Sequence, residues 1–222
     1  MDYLRAIEAV IPGARGRVLA VLAGNSSSQS VRQVALRAGV SPSRAGQVLD
    51  DLAALGVVER RAAGSHVAVR MIEENVTAQW VTRLARLWRS ALDGMRVAAA
   101  EIRPAPLSLV VFGSFARGAA LPDSDVDVLA VHSNEIDEES HTASSARWVQ
   151  TLGEWADIAG RIAGNPVSLI DLALDEIALS RTARFEMAAE PEWLVAAARE
   201  GIVLVGGPIS ELRRREATGG GL

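Results

Sequence analysis

Two aspartates one residue apart, Asp125 and Asp127, open the apolar run DVDVLAV. In a strand, residues i and i+2 point to the same face, so these carboxylates repel unless a cation lies between them. Hard carboxylate oxygens suit Mg²⁺, which proteins hold through one or two carboxylates together with substrate phosphates. Upstream, LSLVVF (residues 107–112) reads as a buried strand, followed at once by Gly113-Ser114 and a short helical SFARGAA. Glycine lets backbone N–H groups approach an anion, and a helix N-terminus is electropositive. The Ser114 hydroxyl and the Arg117 guanidinium add donors for phosphate oxygens. A phosphate cradle beside a pair of metal-binding carboxylates is chemistry suited to nucleoside triphosphates.

Those residues need a frame. After DVDVLAV the pattern predicts a helix over about Glu138 to Ala163, with Trp148, Leu152, Trp155, Ala159 and Ile162 on its buried face. A turn at Gly164 and Asn165 follows, then a strand in PVSLIDLAL. Asp171 is the obvious third acid of this region, and on alternation it shares a face with Val167 and Leu169. Asp175 and Glu176 come later and read as caps of the next helix. The stretch from Asp175 to Gly206 reads as helices ending in a strand-like segment, Ile202 to Val205, and Arg213, Arg214 and Arg215 open a frayed tail. His66, His132 and His141 show no metal-ligand spacing and read as solvent-facing.

The first seventy residues have a different character. They hold nine arginines against five acids, whereas the rest of the chain is acidic and the net charge is −4. Helical patterns cover Ala14 to Ala23, a second segment after Ser30, and a third after Ser41. Ser30 with Gln33 forms a capping box, and Gly39 is a C-terminal stop. Ser41 caps the third helix, Pro42 suits its first position and Gly56 ends it. VVERRAAGSHVAVRMI then reads as two strands around a turn near Gly64 and Ser65. Residues 74–104 predict one long amphipathic helix, whose stripe of Val76, Trp80, Leu84, Leu87, Trp88, Ala91, Leu92 and Met95 packs against a domain or a second subunit.

The bulk composition narrows the class. Hydrophobic residues make up 49% of the 222 residues, which supports a substantial core. There is no cysteine, so disulfides and thiolate metal sites are excluded. No run is long and apolar enough for a membrane span, and the first residues lack the pattern of a signal peptide. The expectation is a soluble cytoplasmic protein.

Helix, helix, tight turn, helix and hairpin over residues 10–72 resemble a winged helix-turn-helix domain. The resemblance implies that the third helix enters the major groove of double-stranded DNA through Ser43, Arg44 and Gln47, with Arg60 and Arg61 on the wing reaching phosphates. Protein interaction or homodimerisation is the alternative, and Asp50 and Asp51 on the same helix weigh toward it. Gly113-Ser114, ten intervening residues, then Asp125-Val126-Asp127 resemble the signature of the nucleotidyltransferase superfamily with a DNA polymerase β-like palm, in its minimal prokaryotic form. Arg117-Gly118 and Ser124-Asp125 also fall where that subgroup has them.

The resemblance implies that Asp125, Asp127 and a third acid, here Asp171, bind Mg²⁺ or Mn²⁺ and carry catalysis. Gly113, Ser114, Arg117 and Ser124 would bind the nucleotide, and an NTP would donate a nucleoside monophosphate to an acceptor hydroxyl. The alternative is a DNA-binding regulator or antitoxin-like protein, whose nucleotidyltransferase domain senses a ligand or binds a helical toxin-like partner. The expected fold class is α+β: a winged helix over 1–74, a connecting helix over 75–103, a nucleotidyltransferase core over 104–175, and a C-terminal helical extension and tail over 176–222.

Overall fold

The computed structural model describes residues 1–63, 66–136, 142–179 and 191–217. The chain divides into two compact units, Asp2–Leu87 and Trp88–Leu222.

The first unit runs α1 (Ala6–Val10), α2 (Ala14–Ala23), β1 (Gln29–Ser30), α3 (Val31–Ala38), α4 (Pro42–Ala54), β2 (Val58–Ala63), β3 (His66–Met71) and α5 (Val76–Leu84). The caps lie where local chemistry places them. Ser30 and Gln33 bond reciprocally, Gly39 takes the left-handed conformation after α3, and the Ser41 hydroxyl accepts from the Arg44 N–H with Pro42 at the first helical position. Val34 and Ala38 of α3, and Val48, Leu49 and Leu52 of α4, share one core with Val18, Leu19 and Leu22 of α2 and Val69 of β3. The strands form an antiparallel sheet in the order β1-β3-β2. The short β1 and the one-turn α1 were not anticipated. Each is too short to show a periodicity. The predicted turn at Gly64 and Ser65 lies outside the described residues.

The single helix expected over residues 74–104 is instead two, α5 and α6 (Leu87–Ala99), with a turn between. The break changes the phase of the apolar stripe. In α5 the buried residues are Ala78 and Val81, while Val76 and Trp80 are exposed, Trp80 by 62%. The Arg83 guanidinium lies over the Trp80 ring instead, 4.8 Å from its centroid. In α6, Ala91, Leu92 and Met95 are buried as the stripe predicts.

The second unit continues from α6 with β4 (Ser108–Phe112), α7 (Gly113–Ala116), β5 (Val126–His132), α8 (Ala143–Ala163), β6 (Val167–Ala173), α9 (Leu174–Leu179), α10 (Glu192–Glu200), β7 (Ile202–Gly206) and α11 (Ile209–Ala217). Its sheet has the order β6-β5-β4-β7. Strands β5 and β6 are parallel, and β4 is antiparallel to both β5 and β7. The strand-like segment expected at Ile202 to Val205 is β7, and it joins the same sheet beside β4. Arg213 and Arg214 lie in helix α11, whose Ile209 and Leu212 are buried, so this region is not a frayed tail.

Register assigns the two faces of this sheet, because residues paired across strands point the same way. Val110 and Phe112 of β4 and Leu129 and Val131 of β5 form one core with Ile177 of α9, Leu194 and Ala197 of α10, and Ile209 and Leu212 of α11. The opposite face carries Val128, Ala130 and His132, and meets α8 through Trp148. Helix α8 buries Trp148, Leu152, Trp155 and Ala159, as its periodicity predicts, and Thr142 caps it. Ile162 is more exposed than the stripe implied. The residues just before Thr142, where the helix was expected to begin, lie outside the described set, as does His141.

Candidate nucleotide and metal site

Strand β5 begins at Val126, so Asp125 stands at its mouth and Asp127 is its second residue. Asp127 pairs with Phe112, the last residue of β4, which places its carboxylate against the turn that follows β4. That turn is Gly113, with φ +70°. A Cβ at residue 113 would lie far inside van der Waals contact of Asp127 Oδ2. Two constraints thus require glycine here: the left-handed backbone and the carboxylate packed against it. Ser114 begins the rest of α7, a single helical turn that ends with Arg117 as its C-cap.

The surroundings of Asp127 disfavour its charged form. Burial pushes its carboxyl above the ordinary carboxylate range, the charge of Asp125 pushes it further, and Arg117 partly offsets both. Arg117 is itself ion-paired with Glu200 at the end of α10. Glu200 gave no sequence signal, because 83 residues separate it from Arg117.

The turn that presents Asp125 is held by two residues. The Ser124 hydroxyl accepts from the Leu121 N–H at 2.9 Å, so this side chain shapes the turn. Asn165, buried between α8 and β6, donates through Nδ2 to the carbonyls of Leu121 at 2.9 Å and Ser124 at 2.8 Å. From the sequence Asn165 reads only as a turn residue. Its clamp on the Asp125 turn is a tertiary contact across more than forty residues.

Asp171 does not join this site. It pairs with Ala130 across β5 and β6, so it lies on the face opposite Asp127. There its Oδ2 accepts the indole N–H of the fully buried Trp148 at 2.7 Å. Its Oδ1 lies 4.0 Å from His132 Nε2. His132 is buried rather than solvent-facing, edge-on to Trp148, with Nδ1 at 2.9 Å from the Ser133 carbonyl. The expectation of Asp171 as third acid fails for a parity reason: Asp127 is paired with Ser168, and Asp171 is an odd number of residues beyond it. Among the described residues, no cluster of three or more His, Cys, Asp or Glu could hold a metal ion. Asp125 and Asp127 nonetheless fit a divalent cation whose remaining ligands come from phosphates and water, because carboxylate oxygens suit it and it would relieve their mutual repulsion.

The family model described as a nucleotidyltransferase domain matches residues 93–180. The second unit carries a nucleotidyltransferase domain. A MarR family model matches residues 11–66, and the first unit is a winged helix. Among curated proteins the comparison finds no match. Among solved structures, the chain is similar to a homodimeric winged helix-turn-helix DNA-binding domain from Mycobacterium bovis, described as a possible ArsR-family transcriptional regulator. That match is 27% identical, covers 41% of this chain and 79% of the other, and has a TM-score of 0.29. Among the described residues, no helix is long and apolar enough to cross a membrane.

On the winged helix, Ser43, Arg44 and Gln47 are exposed along the first half of α4, and Arg44 Nη1 lies 3.2 Å from Gln47 Oε1. The two wing arginines are engaged within the unit: Arg60 pairs with Asp50, and Arg61 with Glu59 at 2.8 Å. Asp51 pairs with Arg15 at 2.9 Å. Both aspartates of α4 thus have arginine partners, which lessens the repulsion a nearby phosphate backbone would meet.

Proposed function

We propose that the nucleotidyltransferase domain binds a nucleoside triphosphate with Mg²⁺ or Mn²⁺, and that the winged helix binds double-stranded DNA. The observation that carries the first part is the contact of Asp127 with Gly113. It packs one of the paired carboxylates against the glycine turn, with Ser114 and Arg117 next to it. Asp125 and Asp127 would hold the cation, which when bound supplies Lewis-acid stabilisation of charge on the phosphates. Gly113 leaves room for the Asp127 carboxylate, Ser114 donates its hydroxyl to the phosphates, and Arg117 exchanges Glu200 for a phosphate oxygen. Ser124 and Asn165 keep Asp125 in place. The family match supports a nucleoside triphosphate as the ligand of this site.

The second part rests on the exposed Ser43, Arg44 and Gln47 at the N-terminal half of α4, the position from which a recognition helix reads the major groove. Together the two parts describe a DNA-binding protein that takes a nucleotide. Calorimetric titration of Mg²⁺ with each of the four ribonucleoside triphosphates tests the nucleotide site. Binding that vanishes in the Asp125→Asn/Asp127→Asn double variant supports it, and equal affinity in that variant overturns it.

A further inference from the structure

We infer that Ser168 limits this site to a single divalent ion, so that the nucleotide is held as a ligand rather than consumed as a substrate. The inference rests on the nucleotide-site reading above and follows from strand register. Asp127 has one registered neighbour on each side: Phe112 on β4 and Ser168 on β6. Adjacent strands lie about 4.8 Å apart, so residue 168 is the β6 position nearest the Asp127 carboxylate on the same face. Ser168 is exposed, so the place beside Asp127 is open to ligands rather than filled by core.

The next β6 residues on that face are Ile170 and Leu172, which pack on the core under α9 to α11. Strand β6 has one acid, Asp171, and it is committed to Trp148 on the other face. Two-ion sites for phosphoryl transfer keep their ions about 3.5–4 Å apart, one on each side of the reacting phosphorus. An ion at Asp125 and Asp127 completes its shell with triphosphate oxygens and water. A second ion, displaced toward β6, would need an anionic donor from that strand. At that position the chain offers a neutral hydroxyl, a weak ligand for a hard dication. On the Asp127 face β6 therefore offers no carboxylate to take the proton of an attacking hydroxyl.

The test is an ion count. Mn²⁺ is titrated into the full-length protein with each of the four ribonucleoside α,β-methylene triphosphates, whose bridging carbon blocks transfer, and bound ions are counted by electron paramagnetic resonance. The wild type should bind one Mn²⁺ per chain, Ser168→Asn one, and Ser168→Asp two. Two ions in the wild type, or one in a folded Ser168→Asp, overturns the inference while leaving the nucleotide site standing. No bound ion in the wild type overturns the nucleotide reading and this inference with it. With natural nucleoside triphosphates, pyrophosphate release by the wild type should not exceed that without protein, and release that it catalyses overturns the inference. The wild-type count decides the matter even where Ser168→Asp does not fold.

Discussion

Replacing Asp171 separates two roles that the primary structure leaves open. In the sheet its Oδ2 accepts the Trp148 indole N–H at 2.7 Å, and Trp148 is fully buried. Asp171→Ala removes that acceptor and leaves a buried donor without it, a loss of about 1–3 kcal/mol. At about 2–4 °C per kcal/mol for a protein of this size, the melting temperature should fall by roughly 2–12 °C. Asp171→Asn retains an acceptor oxygen and should recover part of the loss. Affinity for Mg²⁺ with nucleotide should change by less than about twofold, or about 0.4 kcal/mol, because the side chain lies on the face opposite Asp127. Differential scanning calorimetry beside isothermal titration of the same samples reads both quantities. An unchanged melting temperature with a tenfold or greater loss of nucleotide affinity would refute the face assignment and restore Asp171 to the site.

Other perturbations test the neighbouring claims. Gly113→Ala places a methyl against Asp127 Oδ2 and forces a non-glycine residue to φ +70°. The backbone cost alone is about 1–2 kcal/mol, so chemical denaturation should show reduced stability, and titration should show Mg²⁺-nucleotide binding weakened at least tenfold. In metal-free protein the raised Asp127 carboxyl binds its proton more tightly in the folded state than in the unfolded chain. Its contribution to stability is therefore greatest below the ordinary carboxylate range and declines as pH rises through the raised folded value. Asp127→Asn should flatten that decline in urea melts taken across the acid range, and a slope equal to wild type would show that Asp127 is not its source. Arg44→Ala should weaken specific DNA binding by about 1–3 kcal/mol if the side chain contacts a base. Equal gel-shift titrations for variant and wild type would remove Arg44 from the interface.

Much of this protein is local and therefore legible from residue order. Ser30 with Gln33, Ser41 with Pro42, and Gly39 mark helix ends through contacts spanning at most five residues, and each stands where local chemistry puts it. The Trp148, Leu152, Trp155 and Ala159 stripe of α8 is likewise a periodicity within one element, and Asp125 and Asp127 are near neighbours along the chain at the mouth of β5. The resemblance to nucleotidyltransferases rested on such a compact motif, Gly113-Ser114 and Asp125-Val126-Asp127, and the comparison places a nucleotidyltransferase domain over those residues.

What the order of residues left undecided depends on register and on contacts distant along the chain. Alternation within β6 groups Asp171 with Val167 and Leu169, but only pairing with β5 says which face of the sheet that group occupies. A strand slipped by one residue would exchange Ser168 and Asp171 between the faces, and nothing within PVSLIDLAL distinguishes the two registers. The break between α5 and α6 has the same character: the Val76 and Trp80 stripe is helical in either case, and tertiary packing selects Ala78 and Val81 as the buried pair. The clamp of Asn165 on the Asp125 turn, the pairing of Arg117 with Glu200, and the addition of β7 to the sheet all join segments far apart in sequence. The sequence by itself therefore determined that two carboxylates stand together beside a glycine turn. The tertiary structure alone decided that the third is absent from their face, because pairing between strands, and not spacing along one, sets which side chains share a site.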